Sequence, residues 1–205
     1  MVSACIYLEG GSKGPDSRLL KIACQQAFHK LLDRMGFTGK KPTLVACGGR
    51  GAVYDRFCTA HKAGKYDYVA MWIDSEEPMA DIDRAWKHLA NVTTVDHWPQ
   101  PDGTRDDQVL FMTTCMETWI VADRETLEAH YGDRFQESAL PSLNQLEQRT
   151  RHDVQGKLMD ATRKCKNAYS KGKQSYLVLG ELDPDVLKKH LPSFVRVQRI
   201  LAEKL

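Results

Sequence analysis

Apolar residues gather into four short runs, Ser3 to Leu8, Thr43 to Cys47, Tyr68 to Ile73 and Val109 to Met112. Runs of this length bounded by turn residues predict buried strands. The third is nearly all apolar, which predicts burial on both faces. Between the runs the period changes. Leu20, Ala23, Ala27, Leu31 and Met35 recur at helical spacing. Gly14-Pro15-Asp16-Ser17 marks the start of that helix and Gly36 its stop. A second helix is expected from Gly48-Gly49-Arg50-Gly51 to about Lys62, a third over Ile82 to Leu89, and a fourth from about Cys115 to His130. Strands alternating with helices predict a parallel sheet with right-handed crossovers. In such sheets ligands bind beyond the carboxyl ends of the strands.

After His130 the pattern changes. Asp133 to Arg151 is polar and contains Pro141, so a loop with one helical turn is expected. A helix is predicted from Asp153 to about Lys171, with Leu158, Ala161, Cys165 and Ala168 facing inward. Asp183-Pro184 opens a short helix to Leu191, and Phe194, Val197 and Leu201 fit a last one. The chain therefore reads as one domain, with residues 1–130 an α/β core and 131–205 a mainly helical portion.

Composition changes the picture in two places. The net charge of +2 hides an asymmetry: residues 151–205 carry 12 Lys/Arg against 6 Asp/Glu, and the rest 17 against 21. An acidic front joined to a basic back can supply both metal ligands and phosphate contacts. The six cysteines, Cys5, Cys24, Cys47, Cys58, Cys115 and Cys165, form no C-x-x-C pair. They read as small buried hydrophobes in a reducing compartment rather than a disulfide framework. No leader pattern opens the chain, and no window approaches the ~20 apolar residues of a membrane span. A cytoplasmic protein without membrane contact is expected.

Four acids stand at strand ends: Glu9 after the first, Asp74 and Glu76 after the third, and Glu117 just past the fourth. Magnesium takes oxygen ligands, usually one or two carboxylates with waters and phosphates. Such ions can activate water and stabilise the leaving oxygen of a phosphodiester. Each acid also has a simpler explanation. Loops collect solvated acids, and Glu117 lies in a first helical turn, where the macrodipole favours negative charge. Only together do the four acids point to a metal site.

Among the cations, Lys157, Lys164 and Lys171 are spaced by seven and would form one stripe on a continuous helix. Arg50 sits between a strand and a helix, where exposed amides attract anions. The G-x-x-x-x-G-K-[ST] pattern is absent, so this is no Walker A loop. His97, His130 and His152 lack metal-ligand spacing. Trp72 and Trp119 belong in the core, whereas Trp98, before Pro99, is expected at the surface.

The motifs resemble a known family. Tyr7-Leu8-Glu9-Gly10-Gly11 is similar to the first motif of Toprim-type domains, a strand ending in Glu-Gly. Trp72-Ile73-Asp74-Ser75-Glu76 resembles the second, with Glu where Asp-x-Asp has its last Asp. Cys115-Met116-Glu117-Thr118-Trp119, continuing to Ala122-Asp123, resembles the signature of a Toprim-like bacterial group, domain-of-unknown-function family 4276. Tyr169-Ser170-Lys171 and Pro192-Ser193-Phe194 are similar to its tail.

The resemblance implies a Toprim-like, Rossmann-like mostly parallel sheet flanked by helices. It also implies a Mg2+ (or Mn2+) site held by Glu9, Asp74, Glu76 and Glu117. Glu9, Asp74, Glu117 and Lys171 would be the catalytic set, with Glu9 as metal ligand or as general acid or base. By their spacing and position rather than by the resemblance, Arg50, Lys157 and Lys164 are expected to meet phosphate. The implied function is a divalent-metal-dependent nuclease on DNA or RNA, acting in antiphage defence with an ATPase partner. The alternatives are a non-catalytic module that binds an ATPase, and a small-molecule phosphatase or phosphotransferase.

Overall fold

A computed structural model describes residues 2–11, 17–95 and 97–205. The first half follows the predicted alternation: β1 (Ala4–Glu9), α1 (Ser17–Arg34), β2 (Thr43–Gly48), α2 (Arg50–Ala63), β3 (Tyr68–Asp74), α3 (Ala85–Asn91) and β4 (Val109–Met112). The Gly14-Pro15-Asp16 part of the expected helix start lies outside the described residues. The four strands form one parallel sheet in the order β2-β1-β3-β4.

Strand alternation divides the core in two. Ile6, Leu8, Leu44, Ala70, Trp72 and Leu110 point to the side covered by α1, with Phe28, Leu31 and Leu32, and by the C-terminal helices. Val69, Met71, Ile73, Val109 and Phe111 point to the side of α2 and α3, against Val53, Phe57, Trp86 and Leu89. Because α1 and α2 lie on opposite faces, the chain reverses direction between β1 and β3. That crevice is the topological switch point of an α/β sheet. The architecture is α/β and Rossmann-like, with helices at the C-terminus.

The second half is α4 (Met116–Ala122), α5 (Arg124–Tyr131), α6 (Arg151–Thr162), α7 (Lys173–Leu179), α8 (Pro184–His190) and α9 (Pro192–Lys204). Several expectations are corrected here. The helix expected over Ile82 to Leu89 starts only at Ala85. The Asp81 carboxylate accepts the Asp83 amide (3.0 Å) and holds a local turn instead. The single helix expected from Cys115 to His130 breaks at Asp123, whose carboxylate accepts the Thr126 amide (3.0 Å) and caps α5. The helix expected to reach Lys171 stops at Thr162. There the Thr162 hydroxyl accepts the Tyr169 amide (2.9 Å) and folds the chain back on itself. Ala168 is consequently exposed, not inward. Residues 132–148 hold three short 3-10 turns rather than one helical turn. Trp98 is buried, not at the surface: its ring stacks on Tyr54 at 4.5 Å between centroids. Trp72 and Trp119 are fully buried, as expected.

Candidate metal centre

β1 and β3 end side by side, and their last residues are Glu9 and Asp74. The Asp74 amide donates to Glu9 Oε2 (3.2 Å), and the Met116 amide donates to Asp74 Oδ1 (2.9 Å). Beyond Asp74 the chain keeps contact with the segment after β4. Ser75 N–H donates to Met112 O (3.2 Å) and Glu76 N–H to Thr114 O (2.9 Å). Glu76 adopts φ +68°, left-handed backbone uncommon for a residue with a side chain. Its side chain is only 6% exposed. One carboxylate oxygen each from Glu9, Asp74 and Glu76 lies within 4.8 Å of the others.

The glycine after Glu9 has a steric reason. Gly10 exchanges hydrogen bonds with Gly48 (3.1 and 2.8 Å). A Cβ on Gly10 would stand 2.5 Å from Cys24 Sγ and 2.8 Å from the Tyr176 hydroxyl. The same hydroxyl accepts the Gly11 amide (2.7 Å). The strand end is thus clamped from both sides, which fixes where Glu9 points.

Glu117 borders the three carboxylates from α4. It is fully buried and accepts hydrogen bonds from the Tyr169 hydroxyl and from Gln155 Nε2 (3.0 Å). Burial pushes its carboxyl up. The Tyr169 and Gln155 hydrogen bonds and the nearby Lys171 charge outweigh that, so the net shift is downward. Asp74 goes the other way. Burial, then the charges of Glu9 and Glu117, raise it well above the carboxylate range. Glu9 is also raised, by burial first, with Arg50 opposing. Acids this close in a dry crevice resist simultaneous ionisation, and a cation relieves that conflict.

The cations are arranged unevenly. Arg50 opens α2 and donates from Nη1 to Asp74 O (2.7 Å), with its guanidinium 4.5 Å over the Trp98 ring. Its Nε and Nη2 are buried and have no hydrogen-bond partner among the described residues. Arg151, the first residue of α6, forms an ion pair with Glu76. Lys171, in the turn before α7, is exposed and close enough for its charge to lower Glu117. The predicted lysine stripe does not exist, because α6 ends before Lys164. Lys157 is exposed and about 120° around the helix from Arg151. Lys164 is exposed in the turn after α6. Neither joins the centre.

Sequence reasoning missed Arg151, Gln155, Tyr169 and Tyr176. Arg151 and Gln155 are four apart on one helical face, a spacing visible in the sequence but without a reason to face Glu76 and Glu117. Tyr169 stands two residues before Lys171 in the tail motif, where nothing in the sequence marks its hydroxyl as a partner of Glu117. Tyr176 lies in α7, for which no helix was expected.

Sheet, switch point and converging carboxylates define an α/β, Rossmann-like protein with an acidic centre at the mouth of β1 and β3. Residues 9–201 match the family described as Domain of unknown function (DUF4276), and the chain belongs to that family. No curated protein and no solved structure matches the chain.

Proposed function

We propose that the protein is a divalent-metal-dependent nuclease of Toprim type, hydrolysing phosphodiester bonds of DNA or RNA. The observation that carries this reading is the convergence of Glu9, Asp74 and Glu76 within 4.8 Å at the switch point. Three carboxylates, two of them with raised pKa, are a hard-oxygen donor set that suits Mg2+ or Mn2+. Glu9, Asp74 and Glu76 would hold the ion, with Glu117 behind them. Such an ion supplies Lewis-acid polarisation of phosphate and a water of lowered pKa.

The chain's own groups divide the remaining work. Glu9 would serve either as a ligand of the ion or, unbound, as the carboxyl that takes a proton from water and returns it to a leaving oxygen. Arg50, bonded to the Asp74 carbonyl and buried over Trp98, would lend its charge to a bound phosphate from behind the carboxylates. Lys171, exposed near Glu117, would add an ammonium to offset charge developing on a leaving oxygen. Tyr169 and Gln155 hold Glu117 ionised and in place. Antiphage defence alongside an ATPase partner belongs to the same proposal. So does a reducing, cytoplasmic setting, which the six free cysteines support. No described helix is long and apolar enough to cross a membrane.

The Glu76–Arg151 ion pair favours a second reading, a binding module whose acids are already neutralised. Cleavage of plasmid DNA and of a structured RNA separates the two. With Mg2+ or Mn2+, the wild type is expected to cut one polymer, and Glu9→Ala and Asp74→Ala to lose at least about a hundredfold in rate. Cutting that survives both substitutions sinks the nuclease assignment. No cutting by the wild type, alone or with an ATPase, overturns the nuclease reading and is the outcome expected of the binding module.

A further inference from the structure

We propose that Arg151 is the resident counter-ion of the carboxylate centre: a divalent ion displaces it from Glu76, and the released guanidinium then contacts a substrate phosphate. This rests on reading the centre as a metal site. Four acids meet there, and three cations accompany them: Arg50, Arg151 and Lys171. Arg50 is fixed, bonded to the Asp74 carbonyl and lying over Trp98. Lys171 is outside, near Glu117. Among the described residues, Arg151 alone of these cations binds a carboxylate of the converging triad directly.

The backbone at Glu76 is held without Arg151. Its amide is held by Thr114 O (2.9 Å), and the preceding Ser75 amide by Met112 O. The following Glu77 carboxylate accepts the Thr93 and Thr94 amides (2.7 and 2.8 Å). The loop therefore keeps the Glu76 backbone at the crevice whether or not a guanidinium sits on its carboxylate. Arg151, by contrast, hangs on a flexible stem from the first turn of α6, with 30% of its side chain exposed, and Glu76 is its hydrogen-bond partner. A divalent ion competes for the same oxygens with twice the charge. It also repels the guanidinium, which would then lie unpaired at the open side of the crevice. A phosphate oxygen is the anion that such a planar fork fits.

Mn2+ affinity, read from the electron paramagnetic resonance signal of the free ion, tests the first half. Arg151→Ala is expected to bind Mn2+ about tenfold more tightly than the wild type, and Arg151→Lys near the wild-type value. Equal or weaker Mn2+ binding by Arg151→Ala overturns the inference, since Arg151 would then merely position Glu76. Thermal unfolding checks the fold, and Arg151→Gln serves if alanine does not fold. The second half is read with a DNA and an RNA oligonucleotide of one sequence, in Ca2+. The better-bound of the two should lose about tenfold in affinity for Arg151→Ala although metal binds more tightly. Unchanged oligonucleotide affinity overturns that half. Glu9→Ala separates the layers. Mn2+ bound by the wild type and lost in Glu9→Ala upholds the metal reading whatever Arg151 does. No Mn2+ on any form overturns both.

Discussion

The centre depends on residues whose surroundings are more demanding than their identities suggest. Tyr169 is the clearest, since its hydroxyl and Gln155 are the side-chain donors to a fully buried Glu117. Tyr169→Phe leaves half that carboxylate without a donor and is expected to cost about 1–3 kcal/mol in urea unfolding. Gly10→Ala drives a methyl group into Cys24 Sγ and the Tyr176 hydroxyl. A loss of about 1–3 kcal/mol is expected by the same measurement, and Cys24→Ala should recover part of it. Buried Glu147 accepts the Ser193 amide (3.1 Å) at the start of α9 and is pushed up to about 7, chiefly by burial. A carboxyl raised from 4.5 to about 7 contributes stability that is complete below 4.5 and is lost as pH rises through 7. Denaturation midpoints should therefore fall between pH 5 and pH 8, by about 3 kcal/mol for this group, and Glu147→Gln should flatten the slope. At this scale the acids were legible and their partners were not. Glu9, Asp74, Glu76 and Glu117 stand at strand ends that apolar runs announce. Arg151 and Tyr169 reach them from 75 and 52 positions away. Nothing local marks a residue for so distant a contact.

Among the elements, strands were legible to within a residue because they are short, apolar and bounded by turns. Helix ends were legible only where the stop is local. Gly36 terminates α1 with φ +90°, as its position predicts. α6 ends at Thr162 for a tertiary reason, the hydroxyl that captures the Tyr169 amide. Periodicity continued past that point and suggested a longer helix with a lysine stripe. The break between α4 and α5 is similar. Asp123 accepts from Thr126 at one helix start and from the Asp183 amide (2.8 Å) just before α8. Asp123→Ala removes a cap and an interhelical tie together, and about 2–3 kcal/mol of destabilisation is expected in thermal unfolding. Asp123→Asn keeps the acceptor and should lose less than half of that.

For the whole molecule, the sheet order explains why the acids meet. Reversal of the chain between β1 and β3 leaves one crevice between helices of opposite faces, and the first two motifs end in it. The C-terminal portion then closes over that crevice, with α6 supplying Arg151 and Gln155 and the turn before α7 supplying Tyr169 and Lys171. The basic excess of residues 151–205 was legible as a count. Its use was not, because Lys157 and Lys164 remain exposed while an arginine at the very start of α6 makes the contact. The account stands on the crevice holding a divalent cation, and crystals soaked in Mn2+ test this most directly by anomalous scattering. An anomalous peak bonded to Glu9, Asp74 and Glu76, absent in crystals of Asp74→Ala, is the predicted result. A peak elsewhere, or none at Mn2+ concentrations that saturate ordinary carboxylate sites, would contradict it.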